Sequence, residues 1–264
     1  MDFSFNLNNF FKQEITRINY SLLPENFTGD RRTYRFCTEA VSLILDEMGI
    51  ASAKAQGLLK PITSSDKLRN SEHSVYLLLD LEGNNQNGSV IGMLKMGKKR
   101  LYMFDRIGHC HEVVPLCVLD FYVHESKQRM GCGKKLFEYM LNEEKVEPEK
   151  LAIDRPSDKF LFFLRKHYGL TNIVRQNNNY VVFEGFFNSL DDSANSRSRK
   201  QSSSPDYSPF SVGKRDVTYN GRHTAHKPEA TVGKCLNWTG LAGLSYWSQK
   251  TNLNIYEDIQ QHNQ

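Results

Sequence analysis

The sequence predicts an α/β fold, in which an α+β mixed sheet is flanked by helices on both faces. Hydrophobic residues make up 39% of the 264 residues, and they concentrate before residue 190. Strand-like runs come first along the chain, and strands then alternate with helices after residue 113. A glycine-rich turn separates one strand-like run from the helix-like run that follows it. Together these observations predict a mixed sheet with covering helices.

The first half of the chain is expected to supply most strands and one long helix. Phe3 and Phe5 alternate with polar residues, which predicts a short strand. Apolar residues recur at helical spacing over 34–48, and Gly49 follows as the predicted stop. The sequence further predicts a turn at 83–88 and strands at 73–79, 89–96 and 100–104.

The second half is expected to alternate strands and helices. The run 113–123 is the longest strand-like segment and is predicted to lie at the centre of the sheet. The elements predicted after it are a helix at 133–145, a strand at 151–153, a helix at 158–168 and a last strand at 180–187.

A domain boundary is predicted near Ser189. Residues 1–190 are expected to form one folded domain, and residues 191–264 are expected to be a low-complexity, disordered tail. The start of the tail is rich in serine and charge, so it cannot bury enough apolar surface to order itself. Ser204 and Ser208 precede prolines and are candidate phosphorylation sites, although such pairs are common by chance. The apolar residues near the end are either a docking segment or part of the disordered tail.

Composition argues against several classes of function. The net charge of +4 is too small for a strongly basic nucleic-acid module. No apolar run approaches about 18 residues, so no membrane span is expected, and the first residues do not resemble a signal peptide. Five scattered cysteines without a CxxC pair indicate reduced thiols in the cytoplasm. His109, Cys110 and His111 are adjacent and cannot converge on one ion, so we expect no metal.

The segment 128–133 (QRMGCG) is the most informative motif. Gly131 and Gly133 allow a close backbone approach that a Cβ would block, and the start of the next helix offers free N–H groups to a phosphate. Arg129 and the helix dipole add positive charge. The segment lacks both the Walker A spacing and the third glycine of the dinucleotide fingerprint. It predicts another kind of phosphate-binding loop, with an ordinary glycine turn as the alternative.

This loop and its flanks resemble the alpha-tubulin N-acetyltransferases of the GNAT superfamily. The resemblance is carried, in the family's order, by ASAKAQGLLKPITSSDKLRNS (51–71), PLCVLDFYVHESKQRMGCGKKLFEYML (115–141), EPEKLAIDRPSDKFLFFLRKHYGL (147–170) and NYVVFEGFF (179–187). It covers most of residues 1–190 and implies a GNAT-like catalytic domain that uses acetyl-CoA. The implied substrate is a luminal lysine of alpha-tubulin in microtubules, whose amine attacks the thioester directly. The implied location is cytoplasmic and cytoskeletal, and we expect a monomer.

Acetyl transfer requires a proton acceptor, because a protonated lysine, with a pKa of about 10.4, cannot attack a thioester. The resemblance implies that Asp154 is catalytic, whereas its position before a helix, taken alone, favours an N-cap. Cys117 is a candidate base, proton relay or acyl acceptor, or else a core residue. Which of the two is the main base stays open. Gln56 matches a family glutamine, and its neutral amide suits positioning of substrate or water.

Acetyl-CoA is expected to bind along one strand and two helix starts. A backbone N–H near Val123 is a candidate to polarise the thioester carbonyl. The first cofactor segment comprises Phe121, Tyr122, Val123, His124, Glu125, Ser126, Lys127, Gln128, Arg129, Met130, Gly131, Cys132, Gly133 and Lys134. The second, in which the resemblance implies contacts from Ser157, Lys159 and Lys166, comprises Ser157, Asp158, Lys159, Phe160, Leu161, Phe162, Phe163, Leu164, Arg165 and Lys166.

Substrate contacts are expected at basic side chains. Lys95, Lys98, Lys99 and Arg100 form a basic run at a predicted hairpin, where an acidic tubulin surface would dock unless the run is simply a solvated turn. The selected substrate-binding residues are Lys95, Lys99 and Arg155. The alternatives to the tubulin hypothesis are a GNAT enzyme for another protein or small amine, and an inactive microtubule-binding protein with this fold.

Overall fold

A computed structural model of the chain describes residues 1–25 and 27–188. The predicted tail, 191–264, and the candidate phosphorylation sites Ser204 and Ser208 lie outside the described residues. No helix in the described ranges is both long and apolar enough to span a bilayer.

A seven-stranded mixed sheet organises the described residues. In chain order the strands are β1 (Ile15–Ile18), β2 (Ser74–Asp80), β3 (Ser89–Lys98), β4 (Leu101–Phe104), β5 (Cys110–Val113), β6 (Leu116–Val123), β7 (Ala152–Asp154), β8 (Ile173–Arg175) and β9 (Tyr180–Phe183). The spatial order in the sheet is β1-β2-β3-β6-β7-β9-β8, and β4 pairs with β5 in a separate hairpin. Among these described strands, β6 and β7 pair in parallel and the other neighbours in the sheet pair antiparallel.

Helices cover both faces of this sheet. In chain order they are α1 (Arg31–Ala55), α2 (Ser65–Arg69), the short turn α3 (Gly83–Gln86), α4 (Cys132–Glu144) and α5 (Asp158–Tyr168). Successive strand residues point to opposite faces, so Leu77 packs with α1 on one face while Tyr76 packs with α4 and α5 on the other. The predicted mixed sheet with flanking helices is therefore confirmed.

A third apolar cluster lies on the α1 face at the far end of the sheet. Met103 of the β4–β5 hairpin packs there with Cys117, Ala152 and Val182. The amide of Gln176 holds the hairpin in place, because it accepts from the N–H of Phe104 (2.7 Å) and donates to the same residue's carbonyl (2.8 Å).

Several predicted boundaries are wrong. Phe3 and Phe5 pack against the core outside any strand. The helix predicted over 34–48 does not stop at Gly49 but continues to Ala55. A Cβ at Gly49 would collide with the carbonyl of Thr63. Close approach, and not helix termination, therefore requires the glycine.

The long central strand and the last strand also differ from expectation. Pro115 separates β5 from β6, since proline has no N–H to donate to a ladder. The predicted strand 180–187 ends at Phe183, where a 3₁₀ turn begins. The short strands β1 and β8 have only four and three residues, too few for a clear periodic pattern.

Candidate active site

The parallel strands β6 and β7 separate after two residue pairs. Cys117 pairs with Ala152 and Val118 with Ile153, after which β6 continues to Val123 while β7 ends at Asp154. One backbone edge of 119–123 is therefore left without a strand neighbour in the described part of the chain. Such an edge can form ladder hydrogen bonds with an extended ligand.

The backbone of Val123 points into this opening. The N–H of His124 donates to Ile91 of β3 (2.8 Å), and alternate residues of an antiparallel strand direct their N–H and C=O groups to opposite sides. The N–H and C=O of Val123 therefore face away from β3. Consistent with this, the Gln128 side chain reaches the Val123 carbonyl from the open side (2.8 Å).

The glycine-rich loop forms the start of α4. Gly131 occupies the N-cap with φ 84°, and Arg129 has φ 62°. Gly131 provides no side-chain cap, so the first N–H groups of α4 keep their capacity to bind an anion. A Cβ at Gly133 would lie 3.4 Å from the Phe121 ring and 3.6 Å from Val123. The loop therefore lies directly beside the open edge of β6.

Aromatic packing fixes α5 next to the same strand. The ring of Phe121 lies 5.1 Å from Phe160 and 5.7 Å from Phe163. Two of the predicted cofactor contacts use their side chains elsewhere: Leu164 is fully buried, and Tyr122 is buried with its hydroxyl bonded to Glu125 (2.8 Å). Both side chains belong to the core, and the cofactor contacts expected of these two residues stay predictions.

Asp154 lies at the end of β7, beside the point where the strands separate. Ser157 is the N-cap of α5, so the alternative that Asp154 caps this helix is wrong. The Asp154 carboxylate is half-buried and accepts no hydrogen bond from the described residues. Burial raises the pKa of Asp154, and the positive charges of Arg155 and Lys99 partly oppose that rise. A carboxylate in this state is free to accept a proton.

Cys117 is adjacent but chemically different. The side chain is fully buried, and its Sγ lies 3.5 Å from the carbonyl of Pro115. Burial raises the pKa of the Cys117 thiol to about 12, with a smaller contribution from Asp154. The thiol therefore stays protonated near neutral pH, where only the thiolate is an effective nucleophile.

Gln56 belongs to a buried polar network around Asp120. Its amide Nε2 donates to Asp120 (3.1 Å) and to Ser52 (2.8 Å), and the Ser52 hydroxyl also donates to Asp120 (2.8 Å). Thr63 donates to the other carboxylate oxygen (2.6 Å). This network ties the end of α1 and the segment around Thr63 to β6, so Gln56 positions the wall of the site.

Sequence reasoning missed Asp120, although a charged residue inside the apolar run CVLDFYV was a usable signal. Its orientation depends on a β-bulge: Lys95 pairs with Asp120, whereas Met96 pairs with Val118, so Leu119 is the extra residue. The bulge turns Asp120 to the α1 face that also carries Cys117. No local pattern marks such a bulge.

Lys95 is buried, so its predicted place in an exposed basic patch is corrected. Its ammonium donates to the carbonyl of Ile62 (3.2 Å), and Lys95 pairs with Asp120 across the β3–β6 ladder. Burial lowers the pKa of Lys95 to about 8, although Asp120 opposes the shift. This side chain stabilises the polar network from inside.

Lys99 borders a cavity on the α1 face, whereas Arg155 is an exposed side chain. The cavity has a volume of about 670 Å³, and Lys95, Lys98, Lys99 and His73 contribute to its wall. Burial, with help from Lys99 and Lys95, lowers the pKa of His73 to about 4. The fixed positive charge of this cavity therefore comes from lysines.

The register brings the predicted catalytic side chains together. Cys117 lies opposite both Gly97 and Ala152, so it shares the α1 face with Lys95 and with Asp154. Separated parallel strands, a glycine loop at the following helix and a carboxylate at the strand end are the arrangement of a GNAT acetyltransferase.

Comparison with known families agrees with this class. Residues 3–213 match the family described as "GNAT acetyltransferase, Mec-17", and the chain belongs to that family. An Aedes aegypti protein named alpha-tubulin N-acetyltransferase is 53% identical over 188 residues, which cover 71% of this chain and 68% of that protein. A Trichoplax adhaerens protein of the same name is 43% identical over 241 residues, 88% of this chain and 98% of that protein.

The relatives differ in length. A protein of that name from Anopheles gambiae is 53% identical over 188 residues, but these cover only 38% of its length against 71% of this chain. The resemblance inferred from the sequence blocks and the assignment to an acetyltransferase family are thus confirmed.

Proposed function

We propose that this chain transfers the acetyl group of acetyl-CoA to a luminal lysine of alpha-tubulin in microtubules, by direct attack of the lysine amine. The observation that carries the proposal is the position of Asp154 where β6 and β7 separate, with a carboxylate that accepts no hydrogen bond from the described residues. The chain is also 53% identical to a protein named alpha-tubulin N-acetyltransferase. A cytoplasmic, microtubule-associated location follows from that substrate.

Acetyl-CoA supplies the acetyl group as an activated thioester, and the described residues fit this ligand. The open edge of β6 would hold its extended arm, and the first N–H groups of α4 would bind its pyrophosphate. The exposed side chains Lys159 and Lys166 on α5 are placed for its outer phosphate. The N–H of Val123 would polarise the thioester carbonyl, since it points into the opening.

Asp154 is the proposed general base. Its carboxylate would accept a proton from the incoming lysine ammonium, directly or through a water, and leave an amine with a free electron pair. The raised pKa of Asp154 makes this carboxylate a stronger base than an exposed one. Lys98 and Lys99 at the mouth of the nearby cavity would attract an acidic tubulin surface, an attraction that salt screens.

Cys117 is not expected to carry the acetyl group. When the enzyme is incubated with acetyl-CoA without acceptor, intact-protein and peptide mass spectrometry should show no acetylation at Cys117, because its thiol is buried and protonated. The exposed Cys110 serves as an internal control for nonspecific thiol acetylation. A stoichiometric acetyl group on Cys117 that disappears when tubulin is added would contradict direct attack.

The fragment 1–190 is expected to retain turnover on assembled microtubules, because every proposed site residue lies within it. Acetylation by the fragment and by the full chain would be compared at two salt concentrations, with the modified lysine identified by peptide mass spectrometry. We expect turnover within a few-fold of the full chain. A folded fragment that binds acetyl-CoA but does not acetylate tubulin would mean that residues after 190 complete the site. A full chain that leaves alpha-tubulin unmodified would reject the proposed function.

A further inference from the structure

Tyr180 is the direct cross-strand partner of Asp154. The antiparallel register pairs Ile153 with Val181 and Asp154 with Tyr180. Side chains of directly opposed residues lie on the same face, with their Cβ atoms about 4.5–5.5 Å apart. Cys117 pairs with Ala152, two residues before Asp154, so all three side chains share the α1 face.

Packing fixes the ring of Tyr180, whereas its hydroxyl has no hydrogen-bond partner among the described residues. The ring packs against the apolar cluster that contains Cys117 and Val182. Its backbone is fixed on both sides, since its N–H donates to the side chain of Asn178 (3.2 Å) and its carbonyl accepts from the N–H of Gln176 (3.3 Å). Among residues 1–25 and 27–188, no hydrogen-bond partner of the Tyr180 hydroxyl is observed.

Two other tyrosines of the core use their hydroxyls, whereas the buried hydroxyl of Tyr168 has no partner among the described residues. Tyr76 donates to Glu144 (2.7 Å) and Tyr122 donates to Glu125 (2.8 Å), as expected of buried phenols. Tyr180 differs from Tyr76 and Tyr122 because its hydroxyl keeps its hydrogen-bonding capacity, on the residue that pairs with Asp154.

We propose that Tyr180 is a positioning residue for the incoming lysine, whose amine it binds through its phenol oxygen beside Asp154. This inference rests on the proposed acetyl transfer to a lysine. An ammonium has three donors: one would go to Asp154 and a second to the Tyr180 oxygen. After Asp154 takes its proton, the amine would keep the bond to Tyr180, which directs its electron pair away from the sheet and toward the thioester.

The charges around the phenol suit this role. Burial and the neighbouring Asp154 and Cys117 raise the pKa of Tyr180, while Arg155 opposes the shift. The phenol therefore remains neutral at the pH of the reaction. It can accept from the amine without competing with Asp154 for the proton.

The test is Tyr180→Phe, which removes the hydroxyl and keeps the ring. We expect kcat on microtubules to fall about 10-fold, the effect of one lost hydrogen bond, with acetyl-CoA affinity and the thermal unfolding midpoint unchanged. Tyr34→Phe, which removes an exposed hydroxyl on α1, is the matched control. Unchanged kcat in a folded Tyr180→Phe variant would overturn the proposal.

A double variant separates positioning from structural damage. If Tyr180 acts on the same amine as Asp154, adding Tyr180→Phe to Asp154→Asn should slow turnover by less than about 3-fold, because residues that act together are not additive. A full 10-fold further loss would indicate a structural role and reject the proposal. A parent chain inactive on tubulin would instead reject the proposed function, so the two failures are distinguishable.

Discussion

Replacing Asp154 by Asn is expected to lower turnover by about 10²–10⁴-fold, the range that a general base contributes. The amide has nearly the shape of the carboxylate but cannot accept the lysine proton. Asp154 ends β7 and belongs neither to the glycine loop nor to α4, so acetyl-CoA affinity should change by less than a few-fold. Steady-state kinetics on microtubules and calorimetric titration with acetyl-CoA measure the two quantities separately.

The pH dependence gives a second readout of the same substitution. Because burial raises the pKa of Asp154 above 3.8, the fraction of active carboxylate rises as the pH increases through that raised value. A plot of parental turnover against pH should therefore fall on the acidic side of this pKa, and the Asp154→Asn variant should not show that fall. The control is Asp30→Asn, which replaces an exposed carboxylate and retains a capping side chain for α1. This substitution should leave both the turnover rate and its pH dependence unchanged.

Unfolding of the variant cannot account for the expected loss. A carboxyl whose pKa is higher in the folded protein stabilises the fold below its unfolded pKa, and this stabilisation is lost as the pH rises through the folded value. At neutral pH the Asp154 charge therefore costs stability, and Asn should leave the unfolding midpoint equal or higher. If the Asp154→Asn variant instead keeps turnover within a few-fold of the parent, another group must accept the lysine proton.

Local sequence patterns predicted the elements whose boundaries depend on local chemistry. The helix predicted over 158–168 has the observed bounds, although the structure caps it with Ser157 and not with Asp154, and ends it at Gly169 with φ 68°. The glycine loop was likewise found beside the strand opening. These features depend on hydrogen bonds and backbone angles within a few residues of chain.

Long-range contacts explain what the sequence could not show. Lys95 looks like part of a basic surface run, yet a β-bulge and the carboxylate of Asp120 place it inside the domain. Gly49 looks like a helix stop, yet the carbonyl of Thr63, distant in sequence, requires it. Tyr180 follows a turn, and only the register with Asp154 gives it a place in the site. In each case the deciding partner lies on another element.

Replacing Gly133 by Trp should abolish measurable acetyl-CoA binding, a loss of about 100-fold or more, while the domain stays folded. The first N–H groups of α4 would donate charge-assisted hydrogen bonds to phosphate, each contributing about 1.5–3 kcal/mol, and an indole beside Phe121 would block at least two of them. Gly131→Trp should act in the same way. Calorimetric titration measures the affinity, and circular dichroism with thermal unfolding reports the fold.

Smaller substitutions show whether bulk or backbone strain causes the loss. Gly133→Ala adds a Cβ at ordinary contact distance from Phe121, 3.4 Å, so it should bind acetyl-CoA far better than Gly133→Trp. Gly131 and Gly108 both have positive φ, 84° and 88°, and a Cβ at either would cost about 1–2 kcal/mol of strain. Gly108→Ala at the β4–β5 turn and Gly131→Ala should therefore lose similar amounts of stability. Only Gly131→Ala should also lose affinity for acetyl-CoA. A folded Gly133→Trp variant with parental affinity would show that acetyl-CoA does not bind at the start of α4, and the open edge of β6 would then need another ligand.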